Sequence, residues 1–567
     1  MKKRNILPAL ALLSILFFTT CTEEARRDLV DDYTEGVVLN INTDIFRIPA
    51  SVQFTDANQS VEDPPAGLTV RVEGPDKDLV YSTDGKKDIQ PIDGVMELAI
   101  DKAVEITPEN PLEITVIAEA PGYLKTVQNV TLYDTSFQFL SVNMVNLNAL
   151  PSGVGSRTAT VNLGSEGIAQ DTSFKTPLGA LQQEDAEITM PAGTKMLDAD
   201  GNELTGDVEI QMVHFDNRSP ESLEAFPGGL EATNVMGPDG EMMDVVQFVT
   251  AGFLAVDMYV GKREVKTFTE PVELSVGINP GTIDPNTNEP VKAGDRIPMW
   301  SLNDDTGQWS YEGEARVIQD ASGGLRAEME ITHLSWWNLD YFYGNICRSW
   351  RPLTLNIQSD YRSYREAPWA IVGLVDASTN RPFRYPRYMR LYDGQRINLY
   401  NLPANRQWKL RFYSSYSYYC REVVYETEAF TSTCNSVYDL DLRGIPSPSN
   451  ITISAEVSAF CEGTGADAVI RPTAYIQYRP QGCSRWSYLD YVYRGWFYSN
   501  RLQRNEVYDF RAFYGGQTYV FKDIPIQTTT IEVEEYKLDI NLDGDRAHLD
   551  FTDIEIPEEY CELLLGG

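Results

Sequence analysis

The strictest set of potential ligands in the sequence is Asp539-x-Asn541-x-Asp543-Gly544-x5-Asp550, which spaces oxygen donors as a helix-flanked calcium loop does. The neighbouring residues argue for another use. Leu538, Ile540 and Leu542 alternate with the donors, as Ala547, Leu549 and Phe551 do further on, so the segment reads as two half-buried strands around an Asp-Gly turn. A β-hairpin is the first reading and calcium the second; no other cofactor is expected. Catalysis has little to draw on. The three histidines, His214, His333 and His548, lie in separate segments without metal-ligand spacing. His333 and Ser335 are an i, i+2 pair on one strand face, a structural pattern more often than a catalytic one. There is no G-x-S-x-G, no P-loop and no G-x-G-x-x-G. Among 83 acids, close carboxylate pairs are inevitable and say nothing about glycoside hydrolysis. The expectation is a protein that is not an enzyme.

Cysteine chemistry is more informative. Of seven cysteines, Cys21 stands alone near the start, and the other six lie between Cys347 and Cys561. An even number confined to one region predicts disulfides in an oxidising compartment. Sequence neighbourhood suggests Cys420–Cys434 and Cys461–Cys483, which leaves Cys347–Cys561 to close the ends of the region.

Charge is distributed unevenly. The formal net charge is −36, which argues against nucleic acid as a partner. Yet residues 346–512 hold 20 Arg and one Lys against 15 acids. The run Arg381-Pro-Phe-Arg384-Tyr385-Pro-Arg387-Tyr388-Met-Arg390 interleaves guanidinium groups with rings, and Trp486, Tyr488, Tyr491, Tyr493, Trp496 and Tyr498 follow later. Three uses fit: an Arg–Tyr ladder on a solvated sheet face, a protein-binding face, or a surface for acidic glycan. Arg381, Arg384, Tyr385, Arg387, Tyr388, Arg390, Trp486, Tyr493 and Trp496 are the candidate partner-binding residues.

The amino terminus explains where such a protein would work. Residues 1–5 carry three positive charges, and residues 6–18 form an apolar run that is too short to span a bilayer. Cys21 follows directly. This arrangement resembles the lipobox of bacterial lipoproteins, which implies diacylglycerol on the Cys21 thiol, cleavage between Thr20 and Cys21, and acylation of the new amine, with Thr20 in place of the usual small residue. Buried methylenes contribute about 0.8 kcal/mol each and one chain holds only marginally, so several chains are needed for stable anchoring. Thr22-Glu23-Glu24 resembles the short acidic export signal of Bacteroidota lipoproteins, which implies an outer-membrane location facing outward. Removing Lys2, Lys3 and Arg4 takes the net charge to −39.

The rest reads as strands. Residues 21–36 are an acidic tether. Residues 37–150 alternate as in Leu68-Thr-Val-Arg-Val-Glu, and Ala118-Glu-Ala-Pro-Gly-Tyr123 with Val127-Gln-Asn-Val-Thr-Leu resembles the late strands of transthyretin-like, carboxypeptidase-regulatory-like domains. Residues 151–345 form a larger β-sandwich, in which Phe226-Pro-Gly-Gly229, Trp300 to Trp309, and His333-Leu-Ser-Trp336-Trp337-Asn-Leu-Asp340 resemble a sandwich of surface lipoproteins and of matrix proteins of the cartilage intermediate layer type. Its tryptophans are expected in the core. Residues 346–445 and 446–567 look like a duplication: Leu353-Thr-Leu-Asn matches Ile451-Thr-Ile-Ser, Trp408-Lys-Leu-Arg-Phe matches Tyr508-Asp-Phe-Arg-Ala, and Ser436-Val-Tyr-Asp-Leu matches Glu535-Tyr-Lys-Leu-Asp. The fold class is all-β, tandem Ig-like or transthyretin-like sandwiches. The expected role is a lipid-anchored binding or scaffold protein with a protein partner in the outer membrane or on a surface. Glycan binding and adhesion are the alternatives.

Overall fold

The computed structural model describes residues 38–42 and 46–555 apart from short stretches, the longest being 415–421, 446–449 and 462–466. Alternation in the sequence becomes two-faced strands. Leu353–Gln358 buries Leu353, Leu355 and Ile357 and leaves Thr354, Asn356 and Gln358 half-exposed. Among the described residues, helix is confined to one turn at Lys77–Leu79 and to Pro220–Glu224. The chain is all-β, as expected.

Three modules share one topology. In the first, Arg47–Asp56 pairs in parallel with the last strand, Gln138–Met144, and antiparallel with Val95–Ile100. The facing sheet places Leu112–Glu119 between Thr69–Glu73 and Thr126–Leu132. In the module of residues 346–445, Leu353–Gln358 pairs in parallel with Ser436–Asp441 and antiparallel with Arg396–Leu399, while Gln407–Tyr413 lies between Trp369–Asp376 and Val423–Glu426. The last module repeats this, with Asn450–Cys461 against Arg546–Glu555 and Trp496–Gln503, and Val507–Tyr514 between Ala474–Pro480 and Gln517–Pro525. The first two strand matches of the duplication therefore hold. The third does not: the counterpart of Ser436–Asp441 is Arg546–Glu555, whereas Tyr536–Asp539 pairs with Thr530–Val533.

Residues 151–345 differ. Their strands join into one 16-stranded sheet with two cores, one around Ile188, Val208 and Leu274, the other around Phe226, Trp300, Trp309 and Trp336. The tryptophans are core residues, as expected: Trp300, Trp309, Trp336 and Trp337 are all buried. Phe226 of the Pro-Gly-Gly loop stacks on Trp309 at 5.4 Å between ring centroids, a geometry that adds to area burial. The hairpin tip between Arg296–Asn303 and Gln308–Gln319 reaches the first module. There the Gly307 carbonyl accepts from Asn129 Nδ2 at 2.7 Å, and Lys125 Nζ lies 3.1 Å from Asp304 and 2.8 Å from Asp305. Gly307 has φ +67°, and a Cβ there would fall 2.4 Å from Asn129 Oδ1.

Two observations revise the sequence reading. Cys347 bonds to Cys434, not to Cys561, and Cys434 therefore does not pair with Cys420. The reason is topological: Asn435 N donates to the Pro352 carbonyl at 2.9 Å, so the parallel pairing of Leu353–Gln358 with Ser436–Asp441 delivers both cysteines to one end of the same ladder. Cys483 is disulfide-bonded too; Cys420, Cys561 and the side chain of Cys461 lie outside the described residues. Second, Val38–Asn42 pairs in parallel with Asp467–Arg471 of the last module, in register from Val38 on Asp467 to Asn42 on Arg471. It joins neither sheet of the module that follows it in sequence. The chain accordingly divides into two compact units, residues 1–45 with 447–567, and residues 46–446.

Closing the 87-residue separation between Cys347 and Cys434 contributes about 4 to 5 kcal/mol by the chain-entropy estimate. Replacing both cysteines with Ala should lower the denaturant midpoint of this module accordingly, while Cys420→Ala leaves the Cys347–Cys434 link intact in a non-reducing peptide map. Gly307→Ala should cost about 2 kcal/mol and expose the tip to limited proteolysis.

Candidate functional site

Ser487–Val492 and Trp496–Gln503 are joined by a two-residue turn. Arg494 at φ 52° and Gly495 at φ 80° are both left-handed, the requirement of the hairpin turn that matches strand twist. Gly495 has no substitute, since a Cβ would sit 2.6 Å from the Val457 carbonyl oxygen. Tyr493 and Trp496 exchange both backbone hydrogen bonds, at 2.8 and 3.0 Å. From there the alternation is strict. Val492 and Phe497 point into the core, whereas Tyr491, Tyr493, Trp496 and Tyr498 are 39, 45, 54 and 59% exposed. Positions that normally carry polar side chains thus carry four aromatic ones. Tyr491 and Tyr493 are 6.0 Å apart, and the Arg494 guanidinium lies 5.1 Å from the Tyr493 ring.

Past the turn the chain changes sheets, Ser487–Val492 pairing with Ala474–Pro480 and Trp496–Gln503 with Asn450–Cys461, and in the sheet of Ser487–Val492 the Arg–aromatic pattern has another use. The guanidinium groups of Arg479 and Arg511 stack on Trp486 at 4.7 and 4.6 Å. Arg479 Nε donates to Asp509 at 2.8 Å, and Arg511 Nε donates to Gln477 Oε1 at 2.7 Å. Arg501 stacks on Tyr488 at 5.0 Å. Burial, reinforced by Asp490, holds the Tyr488 hydroxyl above its ordinary range, so it stays protonated. This is the ladder expected of interleaved Arg and Tyr. Arg390 is used in the same way, over Tyr364 at 4.8 Å and Trp369 at 5.0 Å.

The predicted partner-binding residues therefore separate. Trp486 and Arg390 are engaged in stacks; Tyr493 and Trp496 face outward together with Tyr491 and Tyr498; Arg387 is exposed on its own strand. Arg381, Arg384, Tyr385 and the side chain of Tyr388 lie outside the described residues, as does Cys21. The backbone of the calcium-like segment pairs as the hairpin reading requires, Asn541 with His548 and Asp543 with Arg546, but the side chains of Asp539, Asn541, Asp543 and Asp550 lie outside the described residues. Sequence reasoning did not find the partners of the stacks, Arg479 and Arg511. Their signal was the Arg–aromatic interleaving itself, which does not say which ring each cation covers.

Two of the three histidines are accounted for by packing; the side chain of His548 lies outside the described residues. His214 is fully buried, and Gln182 Nε2 lies 2.7 Å from its Nδ1. An amide nitrogen only donates, so Nδ1 accepts and the proton sits on Nε2. Burial lowers its pKa to about 4. His333 packs on Trp337 and lies 3.8 Å from Glu312, while the Ser335 hydroxyl is committed to the Leu302 carbonyl at 2.7 Å.

No family model matches the chain, and no curated protein matches it. Among solved structures it is similar to the Bacillus anthracis TIE protein, at 9% identity over 72% of this chain and 60% of that one, with a TM-score of 0.12. The pilus adhesin SpaC from Lactobacillus rhamnosus GG aligns at 8% identity over 86% and 55%, with a TM-score of 0.13. The chicken CNTN1 FN1–FN3 domains align at 9% identity over 44% and 94%, with a TM-score of 0.07. This chain thus spans less than two thirds of the first two, and scores this low carry no functional information.

His214 gives a pH signature. In the unfolded chain it takes a proton near its ordinary value of about 6.5, whereas in the fold it resists until about 4. Its contribution is complete above the unfolded value and is lost as pH falls through that window. The stability difference between the parent and His214→Leu, measured by urea denaturation, should shrink by about 3 kcal/mol between pH 7 and pH 4.

Proposed function

We propose that this chain is a non-enzymatic lipoprotein, held by lipid on Cys21 in an outer membrane and facing outward, that binds or scaffolds a protein partner. The observation that carries the reading is where apolar surface remains uncovered. Of fifteen exposed large apolar side chains among the described residues, ten fall between Tyr364 and Val520, in the Arg/Tyr-rich part of the sequence. Val423 and Val424 are about half exposed on Val423–Glu426, a strand at the edge of its sheet, and Val437 is 56% exposed on Ser436–Asp441. Apolar groups on an edge strand are costly to leave uncovered and mark association sites.

The remaining construction supports a scaffold. Gly307, Lys125 and Asn129 lock the first module to the second. Arg406 reaches from its ion pair with Asp376, at 3.0 Å, to the Tyr343 ring at 5.2 Å. Joints of this kind hold a binding edge at a fixed place relative to the modules beside it.

Affinity purification from detergent-solubilised envelope tests partner and location together. A stoichiometric membrane protein should co-purify and be lost at least tenfold with Val423→Asp/Val424→Asp, with no change in melting temperature. Recovery of host or matrix material alone would favour an adhesin, and retention on neutral or acidic glycans alone would favour the carbohydrate reading. Cys21→Ala should move the protein from membrane to soluble fractions while its thermal transitions stay in place.

A further inference from the structure

The first described strand after Cys21 belongs to the last module, and this changes which surface the anchor holds down. Val38 is seventeen residues beyond Cys21, a distance that the chain spans with at most about 60 Å. The strand Val38–Asn42 ends with Asn42 opposite Arg471. The two residues after Arg471 hold the aromatic hairpin by its turn: Gly495 N donates to the Pro472 carbonyl at 2.8 Å, and Arg494 N donates to Thr473 Oγ1 at 3.3 Å. Four residue steps and one strand spacing separate Val38, where the tether arrives, from Arg471, and one more step, a second crossing and a last step lead through Pro472 and Gly495 to Trp496, a path of at most about 30 Å.

We propose that the exposed rings on either side of the Arg494-Gly495 turn, Tyr491, Tyr493, Trp496 and Tyr498, rest in the interfacial layer of the membrane to which Cys21 is linked. The proposal rests on the lipid-anchor reading of Cys21. Tyrosine and tryptophan combine an apolar body with one polar edge, the combination that settles at the boundary between acyl chains and headgroups. A ligand-binding ring is usually set in a concave site and largely covered, whereas these four flank one tight turn with exposures rising from 39 to 59%. Charge points the same way. The chain is strongly acidic, yet the charge at the turn itself is the exposed Arg494, whose guanidinium lies beside the Tyr493 ring. A guanidinium beside the exposed rings suits the phosphates of lipid headgroups. Lipid on Cys21 supplies attachment, and the aromatic face supplies orientation: a chain held at one point pivots, while a chain held at two presents a constant side outward.

The test uses the chain from Thr22 onward, made without lipid, and vesicles of mixed phosphatidylethanolamine and phosphatidylglycerol. The parent should co-sediment with the vesicles, and Trp496→Ala/Tyr498→Ala should lower its partition coefficient about tenfold without moving the thermal transition. Trp496→Phe should retain most of the partitioning but lose the fluorescence quenching caused by brominated acyl chains. Leu178→Ala/Tyr259→Ala, which trims exposed apolar side chains elsewhere, should change neither. A parent that ignores the vesicles, or a double variant that binds them equally well, overturns the proposal, and so does a double variant that loses a glycan or protein ligand while keeping its partitioning. The anchor itself is read separately, from the mass of the Cys21 peptide in cell membranes. Absence of lipid there would remove the anchor and leave the vesicle result to stand alone.

Discussion

Everything in the three like modules depends on a parallel pairing between the first strand and the last. Until Arg47–Asp56 meets Gln138–Met144, or Leu353–Gln358 meets Ser436–Asp441, neither sandwich can close over its core, because the first strand has a neighbour on one side only. Such pairing is non-local and carries the loop-closure cost before it is rewarded. The Cys347–Cys434 bond lies just ahead of the two strands it serves, so it removes that cost where it is incurred. The first module has no cysteine and relies on a core of fully buried residues, among them Val52, Phe54 and Leu98, and on its docking to the Gly307 tip.

The same topology explains how an arginine-rich segment can fold. Guanidinium groups along a sheet repel one another unless each finds a ring or a carboxylate. Arg479 and Arg511 share Trp486, Arg411 pairs with Glu426, and Arg406 pairs with Asp376. A planar cation can lie flat on a ring and still donate in its own plane, which lysine cannot do, and residues 346–512 hold a single lysine. These arginines thus bind the sheet faces together, while others, among them Arg387 and Arg494, stay exposed beside the apolar and aromatic surface.

Much of the fold was legible in alternation. Leu353-Thr-Leu-Asn-Ile-Gln specifies one buried face whatever surrounds it, and the repeat at Ile451 could be found because both copies need the same buried positions. The tryptophans of the second module were placed correctly in the core for the same reason. What alternation does not encode is the partner of each strand. The pairing of Cys434 was misread because proximity in sequence stood in for proximity in the sheet, and the match of Ser436 with Glu535 failed because three short strands intervene before the closing one. The likeness of the first module to the last two was invisible, since they share pairing order and not residues. Of the site, the six late aromatics were all visible in sequence, but their division into stacked and outward-facing sets depends on which face of the hairpin each occupies. A two-residue turn at Arg494-Gly495 fixes that, and one residue more or less would reverse it.

The assignment of Val38–Asn42 to the last module is the step with the widest consequence. Read linearly, the chain is an anchor, an acidic stalk and an Arg/Tyr-rich far end. Read by pairing, the far end of the sequence receives the tether first, and residues 46–446 are inserted between two segments of one unit. An insertion fixed at both ends has less freedom than a domain on a single linker, because both of its chain ends must return to the same body. The inserted residues are joined to that unit by two covalent crossings, one near Ile45 and one near Pro446. The aromatic turn at Arg494-Gly495 belongs to the unit that carries both crossings, so the strand after Cys21 and the exposed rings share one folded body although more than 440 residues separate them in sequence.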